Sequence, residues 1–199
     1  MTSSAATDVE QIIGFDAREM WMDDEAHWPR ERREQFLLRP TVKKPLSTDH
    51  IVWPSIFHNV SDDETAIHYP PPSWTHLSEL RSDLASLNLL RSHWIIAITC
   101  IGDRGWYEDV YPKIVDQNWT LLGYDISDHS LLSGLMNCGY TEEDQNLESI
   151  WRDKLNAHHL FMDRSDAARF RAVTDDRVRE HGPFFVYGLY LIEDKQINK

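Results

Sequence analysis

His93-Trp94-Ile95-Ile96-Ala97-Ile98-Thr99-Cys100-Ile101 is apolar on both of its alternating faces and rich in β-branched residues. A run of that kind suits a strand covered on both sides, in the middle of a sheet. Gly102-Asp103-Arg104-Gly105 punctuates its end. Downstream, Val110, Ile114 and Val115 predict a short helix over residues 108–117, and residues 119–126 read as a second strand. Strand, helix, strand makes a parallel right-handed crossover the economical topology. Upstream, Leu77, Leu80, Leu84 and Leu87 fall at helical spacing, with Thr75 placed to cap them.

The remaining elements follow from their stop signals. Ser127-Asp128 is placed to start a helix over residues 128–138, which Gly139 terminates. Thr141-Glu142-Glu143-Asp144 resembles a capping box, and Leu147, Ile150, Trp151 and Leu155 carry that helix toward His158. A further helix is expected over residues 165–180, stopped by His181-Gly182-Pro183, and Phe184-Phe185-Val186-Tyr187-Gly188-Leu189-Tyr190-Leu191-Ile192 reads as a third strand. The predicted class is α/β or α+β: a small mixed sheet of three to five strands flanked by helices, in one compact domain.

The first part of the chain reads differently. Ile12, Ile13, Met20 and Trp21 suggest a helix over residues 8–24, and Pro29 would open a second one that Pro40 closes, so residues 8–39 read as a helical arm. Six of the nine prolines lie in residues 40–73, among Trp53, Phe57 and Tyr69. That stretch reads as an irregular segment with apolar area to bury, and residues 74–192 as the core domain. A long irregular stretch of this kind is usually functional.

The chain of 199 residues has 33 acidic and 20 basic side chains, a formal charge of −13, with 41% hydrophobic residues and 8 Trp. This composition excludes disorder and a disulfide-stapled miniature fold. Two cysteines indicate a reducing compartment. The start, Met1-Thr2-Ser3-Ser4-Ala5-Ala6, has neither the basic nor the apolar region of a secretory signal, so a cytoplasmic location is expected. The charge repels nucleic acid and anionic membranes and attracts basic proteins, which makes a basic protein the expected partner.

Two constellations are candidate sites. If the first two strands are adjacent and parallel, their carboxyl ends bring together Asp103, Arg104, Asp125, Asp128 and His129, an acid, base and anion clamp for a small hydrolase or transferase. The bland reading gives Asp128 a capping role and the glycines a turn. The second constellation is acidic and aromatic: Asp23, Asp24 and Glu25 with Trp28, and Asp62, Asp63 and Glu64 between Trp53 and Trp74. Aromatic anchors beside charge are the composition of protein interfaces. The bland reading puts the tryptophans in the core and the acids on solvated turns. Two other acidic runs, at Glu142-Glu143-Asp144 and Asp175-Asp176, have helical explanations.

No metal or cofactor is expected. The ten histidines include no metal-binding spacing, and His158 and His159, being adjacent, suit packing or capping. There is no phosphate-binding glycine loop and no GxSxG, since Ser133 falls inside Leu131-Leu132-Ser133-Gly134-Leu135, which reads as a helix face. In size and acidity the chain is similar to bacterial immunity proteins, which neutralise a cognate toxin. That likeness is one of composition and carries no motif; the pervasive negative charge, the absence of catalytic motifs and the Pro/Trp-rich acidic segment make a non-enzymatic cytoplasmic inhibitor that masks a basic partner such as a toxin the leading expectation. The alternatives are the strand-end enzyme and a DNA mimic that blocks a nucleic-acid-binding protein.

Overall fold

The apolar run forms strand β2, His93–Ile101, near the middle of a four-stranded sheet. The computed structural model describes residues 9–19, 42, 45–48, 74–102, 115–135, 151–179 and 182–192. In chain order the elements are β1 (Glu10–Glu19), α1 (Leu77–Ser86), β2, β3 (Thr120–Ser127), α2 (Arg164–Arg177) and β4 (Phe185–Ile192). The strands lie in the order β1-β2-β4-β3, and every neighbouring pair is antiparallel. The class is α+β.

Two expectations are corrected here. The sheet is antiparallel rather than mixed, and β2 and β3 are not neighbours. They run in the same direction, but β4 is inserted between them, which sets them about 10 Å apart. The second correction is at residues 8–24, where a helix was expected and Glu10–Glu19 is a strand. The cause is a bulge. The register with β2 shifts between Ile12 and Gly14, and both faces of the strand are covered, Ile13 in one cluster and Ile12 in the other, so the two-residue alternation is hidden. Gly14 weakens a helix, whereas pairing from Glu10 opposite Ile101 to Glu19 opposite His93 satisfies the backbone.

Residues opposite one another across a ladder share a face, so register sorts the core. One face carries Ile13, Ile96, Ile98, Cys100, Tyr187 and Leu189, with Val42 and Leu46 packed on it. The other carries Phe15, Ala17, Ile95, Ala97, Tyr190 and Ile192, against Leu80 and Leu84 of α1 and Trp74. Trp74 was expected on a partner surface. It is only 6% exposed, and its ring N–H donates to Asp83 at 2.8 Å.

Helix α2 follows its predicted span closely. Asp163 caps it, accepting from the Ser165 N–H at 2.7 Å. Phe170 packs with Trp151 and Phe161 at ring separations of 5.7 and 5.4 Å. Asp175 ties the helix to the start of β4 by accepting from the Phe184 N–H at 2.7 Å. No helix among the described residues is long and apolar enough to cross a membrane.

Both outer strands carry a short bridge on their free side. Phe15 and Trp74 exchange backbone hydrogen bonds at 2.8 and 3.2 Å beside β1, and Tyr124 and Phe161 do so at 2.7 and 2.9 Å beside β3. Gly123, next to the second bridge, has φ +148° and lies at a bulge in β3. A methyl there would come within 2.6 Å of Leu160 Cβ and 2.9 Å of the Phe161 carbonyl. Gly123→Ala is expected to destabilise the fold by about 1–3 kcal/mol, read as a lower urea midpoint at unchanged slope. An unchanged midpoint would show that the 160–161 bridge gives way freely.

Candidate functional site

Asp125 of β3 pairs with Tyr187 of β4, so its carboxylate lies on the face covered by residues 45–48. Oδ2 accepts from the Thr48 N–H at 2.8 Å and the Thr48 hydroxyl at 3.1 Å. Oδ1 accepts from the Ser133 hydroxyl and the Ile126 N–H, each at 2.8 Å. A carboxylate offers about four acceptor positions, so these four donors occupy it fully. Thr48 Oγ1 also contacts Ser127 Oγ and lies 3.0 Å from the Leu131 carbonyl. One hydroxyl carries one proton. With that proton on Asp125, Ser127 donates to Thr48.

The same end of the segment is held by a second buried charge. Arg18 and Asp16 of β1 point to this face and pair at 2.9 Å, both essentially inaccessible. The Arg18 guanidinium also lies 3.5 Å from the Ser47 carbonyl and 3.4 Å from that of Thr48. Ser47 and Thr48 therefore lie over one face of the sheet, held by charge from both β1 and β3.

The helix expected over residues 128–138 is a turn through residue 135 instead. Asp128 Oδ1 accepts from the N–H groups of Ser130 and Leu132 at 2.8 and 3.0 Å. Leu131 takes φ +62°, and Ser133 bridges back to Ser127. The Asp128 carboxylate thus shapes a loop rather than starting a helix. Ser133, expected on a helix face, is fully buried against Asp125.

The strand-end set is therefore divided. Asp125 is enclosed in the core, Asp128 closes the turn, and His129 lies on that turn, half-buried. Asp103 and Arg104 lie outside the described residues, as do Asp23, Asp24, Glu25, Trp28, Trp53, Asp62, Asp63 and Glu64. The crevice expected between the ends of β2 and β3 is filled by β4. No group of three or more His, Cys, Asp or Glu among the described residues could hold a metal ion. His158 packs edge-on against Trp94 at 6.1 Å.

A different polar cluster lies on the opposite face. Register aligns Thr99, Gly188 and Tyr124 in one row across β2, β4 and β3. Glu10, opposite Ile101, and Tyr190, two residues beyond Gly188, share that face. The Thr99 hydroxyl donates to Glu10 Oε1 at 2.5 Å. Gly188 makes the room: a methyl on it would come within 2.5 Å of both Glu10 Oε1 and Thr99 Oγ1. Burial pushes the Tyr190 hydroxyl far above the ordinary tyrosine range, and the Glu10 carboxylate, as acceptor and as negative charge, pushes it further. Burial also raises Tyr124, again with Glu10 adding to the effect.

Sequence reasoning missed this cluster because Glu10 was placed on a helix. The available signal was Tyr187-Gly188-Leu189-Tyr190: a glycine inside a strand marks a close approach.

Two outcomes follow from these geometries. Asp125→Asn swaps an acceptor for a donor facing other donors, and should cost about 1–3 kcal/mol for each group left unsatisfied. A carboxylate held for catalysis alone would leave the thermal melt in place. Tyr190 sets an alkaline limit. Its folded pKa is raised, so its contribution is complete below the unfolded value near pH 10. Above that value the unfolded chain ionises first and stability falls. Tyr190→Phe should make the fall in urea midpoint from about pH 9 to about pH 11 shallower, and an equally steep fall would contradict it. No family model, curated protein or solved structure matches the chain, so its own geometry carries the functional reading.

Proposed function

We propose that the chain is a non-enzymatic acidic binding protein, an inhibitor of the immunity type that masks a basic partner such as a toxin. Two features support the reading: the formal charge of −13 over the whole chain and the state of the rival site. The observation that carries it is the enclosure of Asp125. Four protein donors fill one of the strand-end carboxylates that the enzyme reading uses, and the residue has no accessible surface. A general base must reach a substrate proton, and this one reaches only its own chain. With that carboxylate consumed internally, the acidic exterior is the chemistry left to explain. It steers a basic protein toward the surface and disfavours direct contact with nucleic acid.

The Asp62-Asp63-Glu64 run is proposed as part of the contact surface. The test begins with capture of a partner at low salt and proceeds to its association kinetics. The association rate should fall as ionic strength rises, because exposed charges are screened. Replacing Asp62 and Asp63 with Asn and Glu64 with Ser should leave the melting curve in place and weaken binding about tenfold or more, the range for lost interfacial charge pairs. A rate flat in salt, or full affinity in the triple variant, would remove the reading or the surface, respectively.

A further inference from the structure

We propose that Met162 is a site of reversible oxidation by hydrogen peroxide, and that its sulfoxide loosens the turn that borders β3. The inference goes beyond the binding-protein reading and uses none of its residues.

The turn spans residues 155–161, and Asn156 holds it together. Its Oδ1 accepts from the N–H groups of His158 at 2.8 Å and Leu160 at 3.2 Å. Its backbone N–H donates to the Leu160 carbonyl at 2.8 Å. With Oδ1 fixed by two backbone donors, the amide nitrogen is fixed as well. Nδ2 donates to the Leu122 carbonyl of β3 at 2.6 Å and to Met162 Sδ at 2.9 Å. The first bond clasps the turn to the strand, next to the backbone exchange between Tyr124 and Phe161. The clasp has little slack, since a methyl on Gly123 would lie 2.6 Å from Leu160 Cβ and 3.1 Å from Asn156 Nδ2. The Met162 sulfur is thus one of two acceptors for the amide that ties turn to sheet.

That sulfur belongs to the most exposed large apolar side chain among the described residues, at 56%. A thioether open to water is a substrate for peroxide. Sulfur carries two lone pairs. Asn156 engages one, and the other attacks a peroxide oxygen. The S–O bond forms, the O–O bond breaks, and the departing hydroxide takes up a proton to leave as water. Sulfur gives up two electrons and peroxide gains them. The sulfoxide is polar, with positive character at sulfur and negative character at oxygen. The Asn156 N–H that met a weak acceptor then faces an electropositive sulfur. The 2.9 Å gap leaves no room for an oxygen between sulfur and nitrogen, so the side chain has to turn away. Nδ2 is left with the Leu122 carbonyl alone, and the turn opens more readily from the edge of β3.

The test treats the full chain with hydrogen peroxide. Peptide mass spectrometry locates the added oxygen, and amide hydrogen exchange follows the turn. Met162 is expected to gain one oxygen at about the rate of free methionine, as its exposure dictates. In the oxidised protein the Tyr124 and Phe161 amides should exchange about threefold faster or more, the range for weakening one modest hydrogen bond. Methionine sulfoxide reductase should restore the original exchange rates. Met162→Leu keeps an apolar side chain at an exposed position and should abolish the response, although Met1, Met20, Met22 and Met136 remain. Oxidation of Met162 much slower than that of free methionine, or oxidation that leaves the Tyr124 and Phe161 amides unchanged, overturns the proposal. A response of equal size in Met162→Leu, or one that the reductase does not reverse, does so too.

Discussion

Thr48 is gripped from two sides, its N–H and hydroxyl by the Asp125 carboxylate and its carbonyl by the Arg18 guanidinium. The two grips come from strands at opposite edges of the sheet. Together they hold residues 45–48 across one sheet face, where Leu46 joins the apolar cluster beside Ile96, Ile98 and Leu189. Burying Asp16, Arg18 and Asp125 on that face would be prohibitive without partners. The segment supplies donors to Asp125 and carbonyls to Arg18, so covering the apolar face and satisfying its charges are one event. Removing either grip would strand a buried charge, which costs far more than an exposed salt bridge is worth.

The two faces use polar residues for different ends. On the face with residues 45–48, charge is matched by internal partners down to the last acceptor position of Asp125. On the other, Glu10 meets hydroxyls and no described cation. Both arrangements hang on β4, since Tyr187 lies opposite Asp125 and Gly188 opposite both Thr99 and Tyr124. One strand thus carries both polar arrangements, on alternate residues.

How much of this was legible depended on range. Strands β2, β3 and β4 lie within a residue of where apolar runs and stop signals put them, and helix α2 starts one residue before and ends three before its expected bounds. Their cues are local: apolar, β-branched runs, and the stop at His181-Gly182-Pro183. Strand β1 was illegible because both of its faces are covered and a bulge interrupts its register, so no alternation of apolar and polar residues marks it. The turn after β3 was illegible because Asp128 bonds forward to Ser130 and Leu132, and a helix cap would be written with the same residue. The Asp125 site was visible as an aspartate at a strand end. Its enclosure was not, since the decisive partner, Thr48, is 77 residues away. Strand order was the largest gap: nothing local says that the last of these strands inserts between two earlier ones.

That insertion governs how the chain comes together during synthesis. No two neighbouring strands of the sheet are joined by a tight hairpin, and paired residues lie from 58 positions apart (Ser127 and Phe185) to 97 (Ile95 and Ile192). Emerging from the ribosome, β1 finds β2 after a long wait, and the pair has one ladder edge still open. β3 then appears with no described strand to join, because both vacancies belong to β4. The described sheet closes in a single late step, when β4 zips against β2 on one side and β3 on the other. Until then the apolar run of β2 exposes an unpaired edge, the kind of surface on which nascent chains aggregate or meet chaperones.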